Sequence, residues 1–368
     1  MKAIVIGAGV IGAGVAYRLA EAGADVTILE ADRVGGGTSA TSFAWTNSHG
    51  KEPREYHDLN VRGMKAHVAL AEEFQGWRWF HPCGSIEWCG ETTEDRERQA
   101  RNVERLKSWD YAIDWITRKE LGELEPDIDL GKLGDAPITF CPQEGYVDPV
   151  IYAAVMMREA IKRGAKLEQR AKVADLEIRN GAVRGARTKD GALHEADIVI
   201  NCAGRWADRV AQDPGLRLPL APTTGFIVFT PPVATTVTHL VHSPFVNFRP
   251  DGAGRLMLHN TDIDDETTLE MTPRPDMPQA LAIMRHAAEL MPTLKGVKPE
   301  AARITARAIP QDGLSAIGPA PRVKGYYFVV THSGVTLSPY LAKAVTDEIM
   351  HNRARPELEK FRPARFFN

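Results

Sequence analysis

Gly7, Gly9 and Gly12 stand at the GxGxxG spacing inside AIVIGAGVIGAG, and Glu30 follows about 20 residues on. The first glycine allows a tight turn, the second lets backbone approach a pyrophosphate, and the third lets the next helix pack against the strand. The amide-rich start of that helix favours a dianion. A carboxylate at Glu30 accepts hydrogen bonds from both ribose hydroxyls of an adenosine and repels a 2′-phosphate. The pattern predicts a dinucleotide site with a non-phosphorylated adenosine half. Beyond it, Gly35, Gly36 and Gly37 free the backbone, and Thr38, Ser39, Thr41 and Ser42 offer hydroxyls and amides to phosphate oxygens. Asn47, Ser48, His49, Lys51 and Arg54 then form a polar cluster suited to contacts with a flavin or a substrate anion.

Three later stretches add chemistry. The small-residue turn Cys202, Ala203, Gly204 ends a buried strand, where backbone could again approach the dinucleotide closely. Arg249, Arg255, His259 and His242 come from a β-rich stretch and could reach a common pocket; singly, each is as well explained as a structural residue. Near the end, Arg307, Asp312, Gly313 and Gly318 precede a strand over Tyr326 to Val330. It runs into Thr331, His332, Ser333, Gly334, Val335 and Thr336, before a helix opened by Ser338 and Pro339. Backbone amides at such a turn stabilise an anion, and a reduced flavin carries one at N1 and O2.

The elements that must position these residues are legible in outline. Ala3 to Ile6 reads as a buried parallel strand, Ala13 to Ala22 as a helix and Val26 to Leu29 as a second strand. Glu55 to Phe74 has helical spacing, and a charged helix follows between Glu91 and Trp115. Trp77, Trp79, Trp88 and Trp109 read as core anchors. Asp148 and Pro149 suit a helix N-cap and first turn, with Val150, Ala154, Met157 and Ile161 on one face and Gly164 as the stop. Asn180-Gly181 and Asp190-Gly191 sit between short alternating runs and predict a three-stranded meander. Thr224 to Thr230 and Arg255 to His259 read as strands, and Pro278 to Met291 as a helix.

At 368 residues the chain exceeds one usual core, so two domains are the default. A net charge of -3 with scattered basic residues gives no reason to expect nucleic acid. Cys83, Cys89, Cys141 and Cys202 lack CxxC spacing and read as four reduced thiols. No apolar run approaches the roughly 18 residues that span a bilayer. The glycine turns interrupt the apolar run after Lys2, which argues against an export signal. A cytoplasmic protein without a transmembrane segment is expected; no metal site is expected, and a homo-oligomer stays open.

Taken together, GAGVIG with Glu30, the TSATS loop, GYVDP before a helix, IVINCAGRWA after the meander, RAIPQDGLSAIG and THSGVTLSP before the last helix resemble the FAD-dependent D-amino-acid oxidase family of amine oxidoreductases. The resemblance covers nearly the whole chain. It implies an α/β fold (α+β overall), with a discontinuous Rossmann-like FAD domain at 1–80, 145–215 and 301–368. An antiparallel-sheet substrate domain at 81–144 and 216–300 is inserted into it. By motif, Gly7, Gly9, Val10, Ile11, Gly12, Glu30 and Ala31 would hold the adenosine half, Thr38, Ser39 and Ser42 the pyrophosphate, and Val173 the adenine. Ala203, Gly204 and Trp206 would lie against the cofactor, and Gly313, Ser333, Gly334, Val335 and Thr336 around the flavin ring. The segment Asn47 to Arg54 is similar to the one beside the flavin in sarcosine oxidases, which singles out His49 and Arg54. No cysteine follows Cys202, and TSA stands where covalent members carry a histidine, so non-covalent FAD is expected, with His49 the remote exception.

The implied reaction removes hydride from the carbon bearing an amine, and the imine then hydrolyses. Arg307, five residues before Asp312, stands where the family often has a functional arginine and is the first candidate for the substrate carboxylate; an ion pair with Asp312 or Glu300 is the structural alternative. Sarcosine, glycine, iminodiacetate and D-amino acids all fall in the family's range, with oxygen or another electron acceptor. Two other readings compete. One is a flavoprotein subunit of a hetero-oligomeric amine dehydrogenase that passes electrons to a partner. The other is an NAD-linked dehydrogenase, which would be colourless when purified.

Overall fold

The computed structural model describes residues 1–76 and 79–367. Its first layer is a six-stranded sheet with Lys2–Ile6 near the middle, in the order Ala316–Pro319, Tyr326–Val330, Ile198–Asn201, Lys2–Ile6, Asp25–Leu29, Lys166–Glu168. All neighbours are parallel except the antiparallel edge strand Ala316–Pro319. The central strands are apolar throughout because both faces are covered. Helices Val10–Glu21, Pro149–Lys162 and Gly334–His351 cover one face. A Cβ at Gly14 would lie 2.9 Å from the Tyr152 hydroxyl and 3.2 Å from Ala342 Cβ, so this glycine sets how closely the three helices pack. On the other face the meander Val173–Arg179, Ala182–Thr188, Leu193–Glu195 packs Leu176, Val183 and Ala186 against Ile4, Ile6 and Val199. In parallel register, the strands ending at Ile6, Asn201 and Val330 release their following turns at one edge of the sheet. That edge is where open α/β sheets bind ligands.

The second layer is an eight-stranded sheet in the order Ala301–Ala306, Thr224–Phe229, Leu256–His259, Asn247–Pro250, Leu240–His242, Ser85–Trp88, Ile138–Cys141, Asp114–Ile116. One pair, Leu240–His242 with Ser85–Trp88, is parallel, because the two strands come from separate segments with no hairpin between them. The sheet is therefore mixed. Ala301–Ala306 belongs to it, so the expected third FAD-domain segment at 301–368 begins with a strand of the other sheet. Period-two alternation divides the faces. Phe226, Val228, Phe248, Leu258 and Val241 pack on the helix Pro278–Leu290 in one apolar cluster. Gly225, Ile227, Asn247 and His259, out of phase with those, face the opposite way.

Several local expectations need correction. On Pro149–Lys162 the buried face is Tyr152, Ala153, Met156 and Ala160, while Val150 and Ile161 are exposed and only Met157 of the expected stripe is buried. Asp148 is at the N-cap position but spends its carboxylate on His81 Nε2, 2.9 Å away. The last helix starts at Gly334 and contains Ser338 and Pro339 rather than being opened by them. Proline removes a helical donor, and the Val335 carbonyl four residues earlier instead accepts from His67 Nε2 at 2.8 Å and Ser338 Oγ at 3.1 Å. Trp79 and Trp88 are buried; Trp109 is half-buried, with the Arg54 and Arg105 guanidiniums 5.4 and 5.0 Å from its ring. Trp77 lies outside the described residues. The four cysteines are free.

Candidate active site and cofactor cavity

A single cavity of about 790 Å³ runs between the two sheets, with Glu30, Ala31 and Val173 in its lining at one end and Arg307 and His332 at the other. Gly7, Gly9, Val10 and Ile11 line it, followed by Thr38, Ser39 and Ser42, then Ala203, Gly204 and Trp206, and finally Ser333, Gly334, Val335 and Thr336. Gly12 is absent from the wall because it does a different job: its Cβ would lie 1.9 Å from the Gly7 carbonyl oxygen, so it permits the turn beneath the wall. Gly7 has φ +98, closed to most side chains. Glu30 is oriented by the Ala8 N–H at 2.7 Å and the Asp32 N–H at 2.8 Å. Ser39 Oγ accepts from the Val10 N–H at 3.1 Å, pinning the hydroxyl loop to the helix start. Thr38 donates to the Ala306 carbonyl at 2.6 Å, so this loop also clips the two sheets together. These features fit FAD. A side chain at Gly9 would crowd Ser39 Oγ at 3.1 Å, and Gly204, with φ +55, has open space where a Cβ would lie.

The other end of the cavity is walled by Phe43, Trp45, Asn47, Lys51, Ile227, His242, Asn247, His259, Thr261, Arg307 and His332. Arg307 pairs with Asp264, and not with Asp312 or Glu300, which are taken by Arg365 and Arg255. No acidic residue is in this part of the lining among the described residues, and Lys51 has no ion-pair partner there. His332 is exposed to the cavity, where desolvation, and then the charges of Lys51 and Arg307, push its imidazole down to about 3. Burial likewise brings His242 down to about 4, with the nearby charge of His49 in the same direction. Its Nε2 is buried without a partner.

Besides Gly12, five sequence candidates fall outside the lining. Arg54 is exposed and pairs with Asp58 at 2.8 Å. Arg255 pairs with Glu300 at 2.9 Å. Arg249 shares a sheet face with Asn247 but is two residues further along; it is buried against the Tyr146 ring at 4.5 Å and donates to the carbonyls of Phe43 and Pro250. Gly313, with φ +81, forms the turn after Pro310 and does not reach the cavity. His49 lies behind Trp45, its ring edge-on at 5.3 Å, and its Nε2 meets Glu87 at 2.7 Å. Burial opposes the charge on His49, but the Glu87 carboxylate, helped by Glu144, outweighs it and pushes the pKa up to about 9.

Sequence reasoning passed over Phe43, Trp45, Gly225, Asn247 and Asp264. The signal for Asn247 was available: a hairpin turning near Asp251-Gly252 puts it directly across from His259. Asp264 carried none, because nothing local says that it faces Arg307 from 43 residues away. His49, Cys141 and Glu144 present ligand atoms within 4.8 Å of one another. Metal binding needs a thiolate and a neutral imidazole, whereas burial raises the Cys141 thiol and His49 is held charged. Glu144 is already engaged by Trp45 Nε1 at 2.8 Å, Ser85 Oγ at 2.6 Å and Tyr111. The hydrogen bonds converge on Glu144 alone, and His49 Nδ1, 4.0 Å from it, has no hydrogen-bond partner among the described residues.

A parallel sheet with a glycine-turn cradle at its edge, opening into a cationic pocket on a second sheet, defines a dinucleotide-dependent oxidoreductase. The family described as FAD dependent oxidoreductase (DAO) matches residues 2–348, and the chain belongs to it. It is 24% identical over 370 residues to glycine oxidase of Bacillus licheniformis, covering 98% of this chain and 96% of that protein. The crystal structure of glycine oxidase from Geobacillus kaustophilus superposes with a TM-score of 0.86 at 23% identity, covering 98% of this chain and 97% of that one. Iminodiacetate oxidase from Chelativorans sp. BNC1 gives 0.84 at 23% identity, with 98% of each chain covered. The fold is thus that of the family, and the protein is an FAD-dependent oxidoreductase.

Proposed function

We propose that this chain oxidises the Cα–N bond of a small amino acid or N-substituted glycine, using FAD bound non-covalently. The observation that carries this reading is one continuous cavity joining a phosphate-and-ribose cradle to a pocket whose wall holds two cations, Lys51 and Arg307, and, among the described residues, no acid. When bound, FAD supplies the acceptor for the hydride leaving the amine-bearing carbon. The protein's share is orientation and charge. Arg307 offers a guanidinium fork to the substrate carboxylate. The two positive charges disfavour an ammonium beside them, as they disfavour protonated His332, and so bias the bound amine to its neutral, oxidisable form. Neutral His332 and His242 are hydrogen-bonding groups for the amine, and Phe43, Trp45 and Ile227 keep water from the reacting carbon. That His49 is turned to Glu87, behind Trp45, supports non-covalent attachment.

Relatives named as glycine and iminodiacetate oxidases make those amines the first to try. The test is an anaerobic flavin-bleaching screen with glycine, sarcosine, iminodiacetate, proline and D-amino acids, followed by air. Bleaching by one amine supports the reading; rapid return of colour identifies an oxidase, slow return a dehydrogenase. A flavin that dithionite reduces and no amine bleaches contradicts it and favours an electron-transferring subunit of a larger complex.

A further inference from the structure

Arg307 lies on the loop after Ala301–Ala306, and its guanidinium is fixed by residues far from every cofactor motif. It donates through Nη2 to Asp264 Oδ2. Asp264 is 4% exposed and closes the short helix Thr261–Asp264 that follows the strand Leu256–His259. Its other contacts leave it no freedom. Oδ1 accepts from the Phe226 N–H at 2.7 Å, and Oδ2 also accepts from His259 Nε2 at 2.9 Å. An ionised carboxylate only accepts, so His259 donates through Nε2, and the orientation of the Asn247 amide makes Nδ1 the acceptor. That nitrogen faces Asn247 Nδ2 at 3.3 Å, and Asn247 Oδ1 in turn accepts from the Ser243 N–H at 3.2 Å. Each group in the chain has one consistent donor or acceptor role.

The Nε and Nη2 side of the guanidinium is bounded by Gly225. A Cβ there would lie 2.8 Å from Thr305 Cγ2 on the neighbouring strand, 2.9 Å from Arg307 Nη2 and 3.1 Å from Nε. Gly225 is in an ordinary strand and has no left-handed φ, so what it supplies is space and not conformational freedom. Gly225 on the Nε and Nη2 side and a fully engaged carboxylate at Nη2 restrict the positions open to the Arg307 guanidinium.

We infer that Asp264 and Gly225 are positioning residues that hold the Arg307 guanidinium in register for a carboxylate-bearing substrate. The inference rests on the assignment of Arg307 given under the proposed function.

The test titrates acetate and glycolate into the FAD-loaded protein, with acetamide as the uncharged control, and reads binding from the change in flavin absorption. Flavin content and thermal midpoint are measured on the same samples. Wild type is expected to bind the carboxylates and not acetamide, and Arg307→Met to lose that preference. Gly225→Ala and Asp264→Asn, with flavin retained, are expected to weaken carboxylate binding by about tenfold or more, the scale of one charge-assisted hydrogen bond. Gly225→Ala, made together with Thr305→Ser to remove the methyl that the new Cβ would meet first and compared with Thr305→Ser alone, changes no charge and decides the matter if Asp264→Asn does not fold. If Asp264 merely neutralised Arg307, its removal would tighten anion binding. Unchanged affinity in Gly225→Ala, or tighter binding in Asp264→Asn, with loss in Arg307→Met, overturns the seat and leaves the Arg307 assignment standing. Failure of wild type to prefer carboxylates, or their equal binding by wild type and Arg307→Met, overturns the assignment and the seat together.

Discussion

His49 keeps its charge where burial alone would remove it, because Glu87 is 2.7 Å from Nε2. Its pKa rises from an ordinary 6.5 to about 9 on folding. A raised value means the charged form is favoured in the folded state, so this contribution to stability is complete below about 6.5 and is lost as pH climbs through about 9. Thermal unfolding of wild type should therefore show a midpoint that falls between pH 7 and 9.5 more steeply than in His49→Gln. That variant should be less stable at neutral pH by about 1–3 kcal/mol, between an exposed and a buried ion pair, since the Glu87 side chain is a third exposed. Parallel pH profiles for the two would count against a charged His49. The polar cluster Asn47 to Arg54 was visible as chemistry in the sequence, yet which members face the cavity was not. Asn47 and Lys51 reach the lining while His49 and Arg54 turn to Glu87 and Asp58. Those choices depend on partners outside the segment.

The strand, glycine turn and helix at the start of the chain carry the clearest agreement between sequence and structure, because each glycine answers a local contact. Gly12→Ala puts a Cβ 1.9 Å from the Gly7 carbonyl, whereas at Gly9 the nearest atom is Ser39 Oγ at 3.1 Å. Gly12→Ala is expected to cost about 2–3 kcal/mol and to yield protein largely free of flavin; Gly9→Ala should remain folded and bind flavin more weakly. Absorption spectra and thermal melts of the two variants decide this, and equal behaviour would contradict it. Elsewhere local pattern was a poorer guide. The stripe through Val150 and Ile161 has helical spacing but, Met157 apart, faces solvent, since Tyr152, Ala153, Met156 and Ala160 take the buried face. Pro339 reads as a helix start, yet is tolerated inside the helix because His67 and Ser338 satisfy the carbonyl it leaves unpaired.

Across the whole molecule, desolvation is the chief cause that brings His67, which is buried, and His242, half-buried, to about 4, and His332, exposed to the cavity, to about 3. Unfolding lets all three take up protons between those values and about 6.5, so their neutral state favours folding above that window and stability drains as pH falls through it. Proton uptake on unfolding near pH 5 should decrease in His67→Gln. No helix among the described residues is long and apolar enough to cross a membrane. The parallel sheet, the meander and the cofactor edge could be read from short motifs because βαβ units and hairpin turns are local. The cationic pocket could not, since it joins Lys51 to strands that begin more than 170 residues later. The most direct test of the account is anaerobic flavin reduction by the amine that bleaches wild type, compared with the same amine as its carboxamide, in wild type and in Arg307→Met. The account predicts that wild type is reduced at concentrations of the acid about 100-fold below those of the amide, and that Arg307→Met removes the difference. Equal reduction by acid and amide in wild type would contradict it.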